Sequence, residues 1–290
     1  MSAALVIAAL AVSACGNGGA PLPSATPQRP ELTVIAVGQD FGAGLNRLPL
    51  AVLMADGAGV IDRAANLEVT YSLATGGAQR KVDRLVWWAW PVLGGVYVGF
   101  AEFDVAGIWE LKVTLTEGGR RLSGSAFVEV RQKPAAPAVG DAAPAVATKT
   151  GATPEELRLI TSASQPDPDL YRVSLSDAVR SGKPTVVTFS TPAFCQTQTC
   201  GPQVEVVGRL QDRYGDRANF IHVEVYDNPA EILEKGDLSI ARLAPAIAEW
   251  KLESEPWTFL IDASGRIFAK FEAFTTEEEL DEAVQALLGA

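Results

Sequence analysis

The chain carries one histidine, two methionines and three cysteines in 290 residues. So few imidazoles and thioethers exclude most metal sites built from either. Cations are also scarce: 24 Lys and Arg stand against 35 Asp and Glu, a formal charge of −11. Nucleic-acid binding and a polybasic membrane patch therefore have no electrostatic basis. No apolar run reaches the roughly 20 residues that a membrane-crossing helix needs. The 18 Pro and 26 Gly fall short of a disordered or collagenous composition. Hydrophobic residues make up 48%, enough for roughly two domains with cores of their own.

The three cysteines divide into one and two. Met1 to Ala14 contains no charged side chain and reads as the apolar core of a signal peptide ending in small residues. Val12-Ser13-Ala14-Cys15 resembles the bacterial lipobox, although no Lys or Arg precedes the apolar run. The resemblance implies that residues 1–14 are removed and that Cys15 is lipidated, anchoring the mature chain to the cell membrane. An ordinary secretory signal and a buried apolar segment are the alternatives. Either secretory version places the chain outside the cytoplasm, where disulfides persist.

Residues 15–30 are dense in Gly, Pro, Ala, Ser and Thr and read as a tether. A second such stretch, 134–154, reads as a linker between two segments of different charge. Residues 31–133 carry a net −1, whereas 140–290 carry −11.

Segment 31–133 breaks into short apolar runs: Leu32 to Val37, Leu48 to Met54, Leu67 to Ser72, Val96 to Phe100, Trp109 to Leu115 and Ser125 to Val130. Several alternate strictly, as in Leu67/Val69/Tyr71, with turn signals such as Ala55-Asp56-Gly57 between them. This density of short strands predicts a β-sandwich. Phe103 through Gly107, Trp109 and Leu111 resembles the F-x-x-x-G-x-W-x-L corner of immunoglobulin-like extracytoplasmic modules, which implies an immunoglobulin-like sandwich. Some of those modules bind copper through His and Met; this segment has no His, and its one Met, Met54, sits inside a strand. Trp87, Trp88 and Trp90 are the oddity. Three indoles in four residues cannot share one face of a strand, so at least one is expected to be exposed, as a contact surface or in a loop closing the sandwich end.

Segment 155–290 alternates strand and helix patterns. Helices are expected over Leu175–Ser181, Gln203–Tyr214 and Ile240–Trp250, the last kinked at Pro245. Strands are expected over Pro184–Ser190, Phe220–Tyr226, Trp257–Asp262 and Ile267–Glu272. Thr276-Glu277-Glu278-Glu279 reads as a capping box opening a terminal helix. This order is the thioredoxin topology, an α/β fold. Three ordered motifs resemble TlpA-like, thioredoxin-like domains: Val139 to Pro144; Gly182 to Phe189 leading into Cys195 and Cys200; and Pro256 to Asp262 followed by Gly265. The resemblance implies thiol–disulfide exchange outside the cytoplasm through Cys195 and Cys200, with protein thiols or disulfides as partners. It needs no cofactor. It also places Pro256 at the cis-proline position beside the cysteines.

The chemistry requires a thiolate, and a helix N-terminus stabilises one. Four residues separate Cys195 from Cys200, where thioredoxins have two. Were all six helical, the step would raise Cys200 about 7.5 Å along the axis, too far for a disulfide. Cys195 is therefore expected in the preceding loop, with the helix starting near Cys200-Gly201-Pro202. Some peroxiredoxins share this spacing, but their Thr or Ser three residues before the reactive cysteine is Pro192 here. Glu255 stands before Pro256 and is expected to repel a nearby thiolate and raise its pKa. His222 reads as a structural histidine. Zinc finds no third or fourth ligand by spacing, so no metal site is expected. Three readings stay open: an exchange enzyme using Cys195 and Cys200, a redox-inactive binding lipoprotein in which they form a structural disulfide, and a metallochaperone.

Overall fold

Strict alternation produces the N-terminal half of the computed structural model, which describes residues 30–55, 66–92 and 94–289. The signal segment, Cys15 and nearly all of the 15–30 tether lie outside the described residues. Among the described residues, nine strands follow in order: β1 (Leu32–Ala36), β2 (Phe41–Gly42), β3 (Gly44–Met54), β4 (Asn66–Leu73), β5 (Arg80–Lys81), β6 (Val86–Trp88), β7 (Val96–Phe103), β8 (Gly107–Glu117) and β9 (Arg120–Arg131). They form two sheets, β1-β3-β7-β6 and β2-β9-β8-β4-β5. The inward set of β8, Trp109, Leu111, Val113 and Leu115, is buried against Leu32, Leu48, Leu50 and Phe103. The result is a β-sandwich.

None of the three indoles is exposed, which corrects the sequence expectation. β6 pairs with β7 through Trp87↔Tyr97 and Trp88↔Val96, so successive side chains fall on opposite faces. Trp87 packs on the sandwich core and Trp88 on a second core beyond it. Trp90 meets Phe274 edge-on, with centroids 5.6 Å apart.

The stretch from 134 to 154 is held by hydrogen bonds to both halves. The buried Asp40 carboxylate accepts the backbone N–H groups of Ala135 (2.6 Å) and Ala136 (3.0 Å). Gly140 and Ala143 donate to the carbonyls of Ile267 and Gly265, and Ile267 donates back to Asp141. A composition poor in large apolar residues is held because its amides find acceptors. The stretch also contains the start of α1 (Pro154–Ile160), which Thr153 and Glu156 cap reciprocally.

After α1 come α2 (Leu175–Arg180), β10 (Thr185–Ser190), α3 (Cys200–Tyr214), β11 (Asn219–Glu224), α4 (Pro229–Lys235), α5 (Pro245–Glu249), β12 (Trp257–Ile261), β13 (Ile267–Glu272) and α6 (Glu277–Gly289). The sheet order is β11-β10-β12-β13, with β10 parallel to β11 and antiparallel to β12. That order and sense define the thioredoxin-like fold of the C-terminal half. Two expectations need correction here. The helix read over 240–250 is a 3-10 turn at Leu238–Ile240 and a separate α5, because Ala244 before Pro245 is extended (ψ 142°) as a pre-proline residue prefers. At α6 only half the capping box forms: Glu279 N–H donates to Thr276 Oγ1 at 3.2 Å, while the Glu279 carboxylate binds Arg47 on β3 instead.

That ion pair marks where the halves meet. Arg47 Nε and Nη2 each lie 2.7 Å from Glu279 oxygens, and Nη1 donates to the Glu272 carbonyl at 3.1 Å. Ala51, Val96 and Val98 of the sandwich share one buried cluster with Phe271, Phe274, Leu280 and Val284.

Candidate functional site

β10 ends at Ser190, two residues before Pro192, which has no N–H to continue a ladder. The chain then turns tightly: Phe194 and Cys195 N–H donate to the Thr191 carbonyl, and Gln198 N–H to that of Cys195. Gln198 reverses the path with φ +58°, a region costly for a residue with a Cβ. α3 begins at Cys200, so Cys195 stands in the preceding loop, as closure of the pair requires. Pro202 occupies the third helical position.

Both cysteines are free thiols, Cys195 half-buried and Cys200 fully buried. The Cys195 sulfur sits where α3 leaves its first N–H groups without helical partners. Backbone N–H groups of Cys200 and Thr199 aim at it, and Thr197 Oγ1 lies 3.1 Å away. The Cys200 S–H donates to it as well, and this is the largest influence bringing the Cys195 pKa down to about 4. The same bond, together with burial, pushes the Cys200 thiol strongly up. These influences favour the negative charge on Cys195 and the proton on Cys200.

Glu255 joins them. One of its carboxylate oxygens and the two sulfurs all lie within 4.8 Å of one another. Burial, and then the negative charges of Cys195 and Glu224, raise its pKa to about 7. The repulsion expected from the sequence is present, but it falls on Glu255 and on Cys200, while the donors around Cys195 outweigh it there. The bond from Glu255 to Pro256 is cis, and Pro256 is buried. Cys195 and Cys200 are brought together with Glu255, the residue before Pro256, by one loop, one helix start and the approach to one strand.

Behind the cysteines lies a polar layer that sequence spacing did not assign to the site. Glu224 is buried at the end of β11 and accepts Ser162 N–H at 2.7 Å. His222 Nδ1 lies 2.6 Å from Tyr171 Oη, and Nε2 lies 3.0 Å from Ser190 Oγ. Burial lowers the His222 pKa to about 4, so the ring is neutral and structural. The parallel register Thr188↔His222 and Ser190↔Glu224 carries both residues to the cysteine end of the sheet.

A cleft of about 250 Å³ opens beside the thiols, lined among others by Ile35, Val37, Trp90, Thr197, Thr199 and Glu255. The sandwich supplies one wall of it. A larger cleft of about 620 Å³ between the halves, with Arg47, Phe100 and Lys270 in its lining, touches neither cysteine. No helix among the described residues is long and apolar enough to cross a membrane.

No protein family matches the sequence, and no curated protein does either. Among solved structures the chain is similar to a thiol:disulfide interchange protein of the thioredoxin family from Chlorobium tepidum TLS, at 19% identity over 53% of this chain and 100% of that one, TM-score 0.34. It is also similar to a thioredoxin-like superfamily protein, at 14% identity over 53% and 98%, TM-score 0.33. Another similarity is to the Lin-41 filamin domain, at 11% identity over 36% and 94%, TM-score 0.23. The strand order defines a thioredoxin-like fold, with Cys195 just before and Cys200 at the start of its first long helix.

Proposed function

We propose that this chain is an extracytoplasmic, membrane-anchored thiol–disulfide oxidoreductase acting through Cys195 and Cys200. One observation carries the reading: a half-exposed cysteine in the loop before a helix N-terminus, its sulfur 3.1 Å from the Thr197 hydroxyl and within 4.8 Å of the sulfur of a buried cysteine that opens the helix. In the reducing direction Cys195 Sγ attacks one sulfur of a substrate disulfide. The substrate's S–S bond breaks, and its leaving thiolate takes a proton from solvent. Cys200 then loses its proton, Glu255 being close enough to receive it, and attacks Cys195 Sγ. The Cys195–Cys200 bond forms, the mixed disulfide breaks, and two electrons have passed to the substrate. The oxidising direction is the reverse. Pro256 and the backbone before it form the ledge beside which a substrate chain lies.

The remaining assignments belong to the same proposal. Residues 1–14 are a signal peptide, Cys15 carries the lipid, 15–30 is the tether, 31–133 is an immunoglobulin-like sandwich and 155–290 the exchange domain. Detergent-phase partitioning of wild type against Cys15→Ala tests the anchor; equal partitioning refutes it. For the chemistry, Cys200→Ser is expected to trap mixed disulfides through Cys195, and the pair is expected to titrate between roughly −120 and −270 mV. The spacing and Glu255 favour a second reading, a redox-inactive binding lipoprotein with a structural disulfide. A bridge that resists reduction below about −300 mV, with no trapped partner, establishes that reading instead.

A further inference from the structure

The spacing of the cysteines offers a metal ion only two ligands, but the fold adds a third from 55 residues away. Cys195 Sγ, Cys200 Sγ and a Glu255 carboxylate oxygen lie mutually within 4.8 Å. From this geometry we infer that the reduced site binds a Zn²⁺ ion through Cys195, Cys200 and Glu255, leaving the fourth position open.

The donor chemistry fits. Zinc takes thiolate at about 2.3 Å and carboxylate at about 2.0–2.2 Å in tetrahedral sites, which holds ligand atoms about 3.5–4 Å apart. Donors within 4.8 Å close onto an ion by shifts of about an ångström or less. Mixed sulfur and oxygen donors point to Zn²⁺ rather than to Cu(I), which prefers soft thiolate and thioether ligands. A cleft lined by Thr197, Thr199 and Glu255 adjoins the site. On binding, any proton on Cys195 or Cys200 passes to water as its S–Zn bond forms, and no electron moves. The ion and the disulfide are mutually exclusive, since each uses both sulfurs.

This inference needs the two sulfurs reduced and does not depend on exchange activity. The test is Zn²⁺ titration of the full mature chain against a chromophoric chelator, with Co²⁺ as a spectroscopic probe of thiolate ligation. Reduced wild type is expected to bind one ion and to show thiolate-to-cobalt charge-transfer absorption. Changing a group that merely supports a zinc ligand costs about 10–100-fold in affinity, so Glu255→Gln, which removes a ligand, is expected to weaken binding at least tenfold. Oxidised wild type, folded and identical in sequence, is expected to bind none. Absence of stoichiometric binding to the reduced chain overturns the inference, as does binding to the oxidised chain. Equal affinity of wild type and Glu255→Gln also overturns it, because the thiols alone would then hold the ion. A chain that traps mixed disulfides yet binds no zinc loses only this inference, whereas one that binds zinc but traps nothing loses only the exchange reading.

Discussion

Glu255 is held against its own charge. Its folded pKa of about 7 stands above the ordinary carboxylate value of 4.5, so the stability it contributes is full below pH 4.5 and is lost as pH rises through 7. Glu255→Gln removes that dependence. The variant is expected to melt higher than wild type at pH 8 and near it at pH 5, measured on reduced protein; an equal difference at both pH values contradicts the argument. At Cys195 the sign is opposite. The folded pKa lies below the ordinary thiol value of 9.0, so stability from the thiolate is present above pH 9 and declines as pH falls toward 4. Alkylation of Cys195 is accordingly expected to persist well below pH 9 and to outpace that of Cys200, followed by mass spectrometry across pH. At this scale the position of Cys195 in the loop before a helix starting near Cys200 was legible, because it falls between a strand pattern and a helix pattern, whereas Pro256 was singled out only by the family resemblance. The approach of Glu255 to both sulfurs was not. Spacing along the chain sets distance only within an element, and Glu255 reaches the thiols through the pairing of β10 with β12.

At the scale of elements, two glycines are expected to answer alanine in opposite ways. Gly201 lies in the first turn of α3, and a Cβ there meets nothing within 4 Å. Gly201→Ala is expected to stabilise the protein by up to about 1 kcal/mol through helix propensity. Gly124 on β9 faces β1, and its Cβ would fall 2.3 Å from the Leu32 carbonyl oxygen. Backbone cannot yield as a side-chain tip does, so Gly124→Ala is expected to cost about 1–3 kcal/mol. Urea unfolding of both variants checks the pair of signs. The long strands were legible because alternation over β4 or β8 spans enough residues to exclude a helix. The two-residue strands β2 and β5 carry no period to read, and β6 was hidden by its indoles. Likewise, Pro245 opens a helix as readily as it kinks one, and the extended residue before it decided the matter.

At the scale of the molecule, the two halves are joined by a buried ion pair as well as by apolar contact. The side chains of Arg47 and Glu279 are only 7% and 11% exposed. Removing one partner strands the other charge, which typically costs about 3–5 kcal/mol. Arg47→Ala is expected to split a single calorimetric unfolding transition into two, the sandwich and the thioredoxin-like half melting separately; one transition with an unchanged midpoint contradicts this coupling. No sequence pattern announced the pairing, since Arg47 and Glu279 are 232 residues apart and Glu279 was accounted for as a helix cap.

The segment pinned beside β13 bears on how copies of this protein behave at high concentration. β13 borders the thioredoxin-like sheet, and a bare border strand is a template for strands of other molecules. Here Ala142 bridges Arg266, just before β13, and Gly140 and Asp141 occupy both hydrogen-bonding groups of Ile267. Near the opposite border, just past β11, Tyr226 bridges Leu243. The start of one outer strand and the exit from the other are thus already taken by the chain's own backbone, which blunts sheet-to-sheet aggregation at the sites where it would begin.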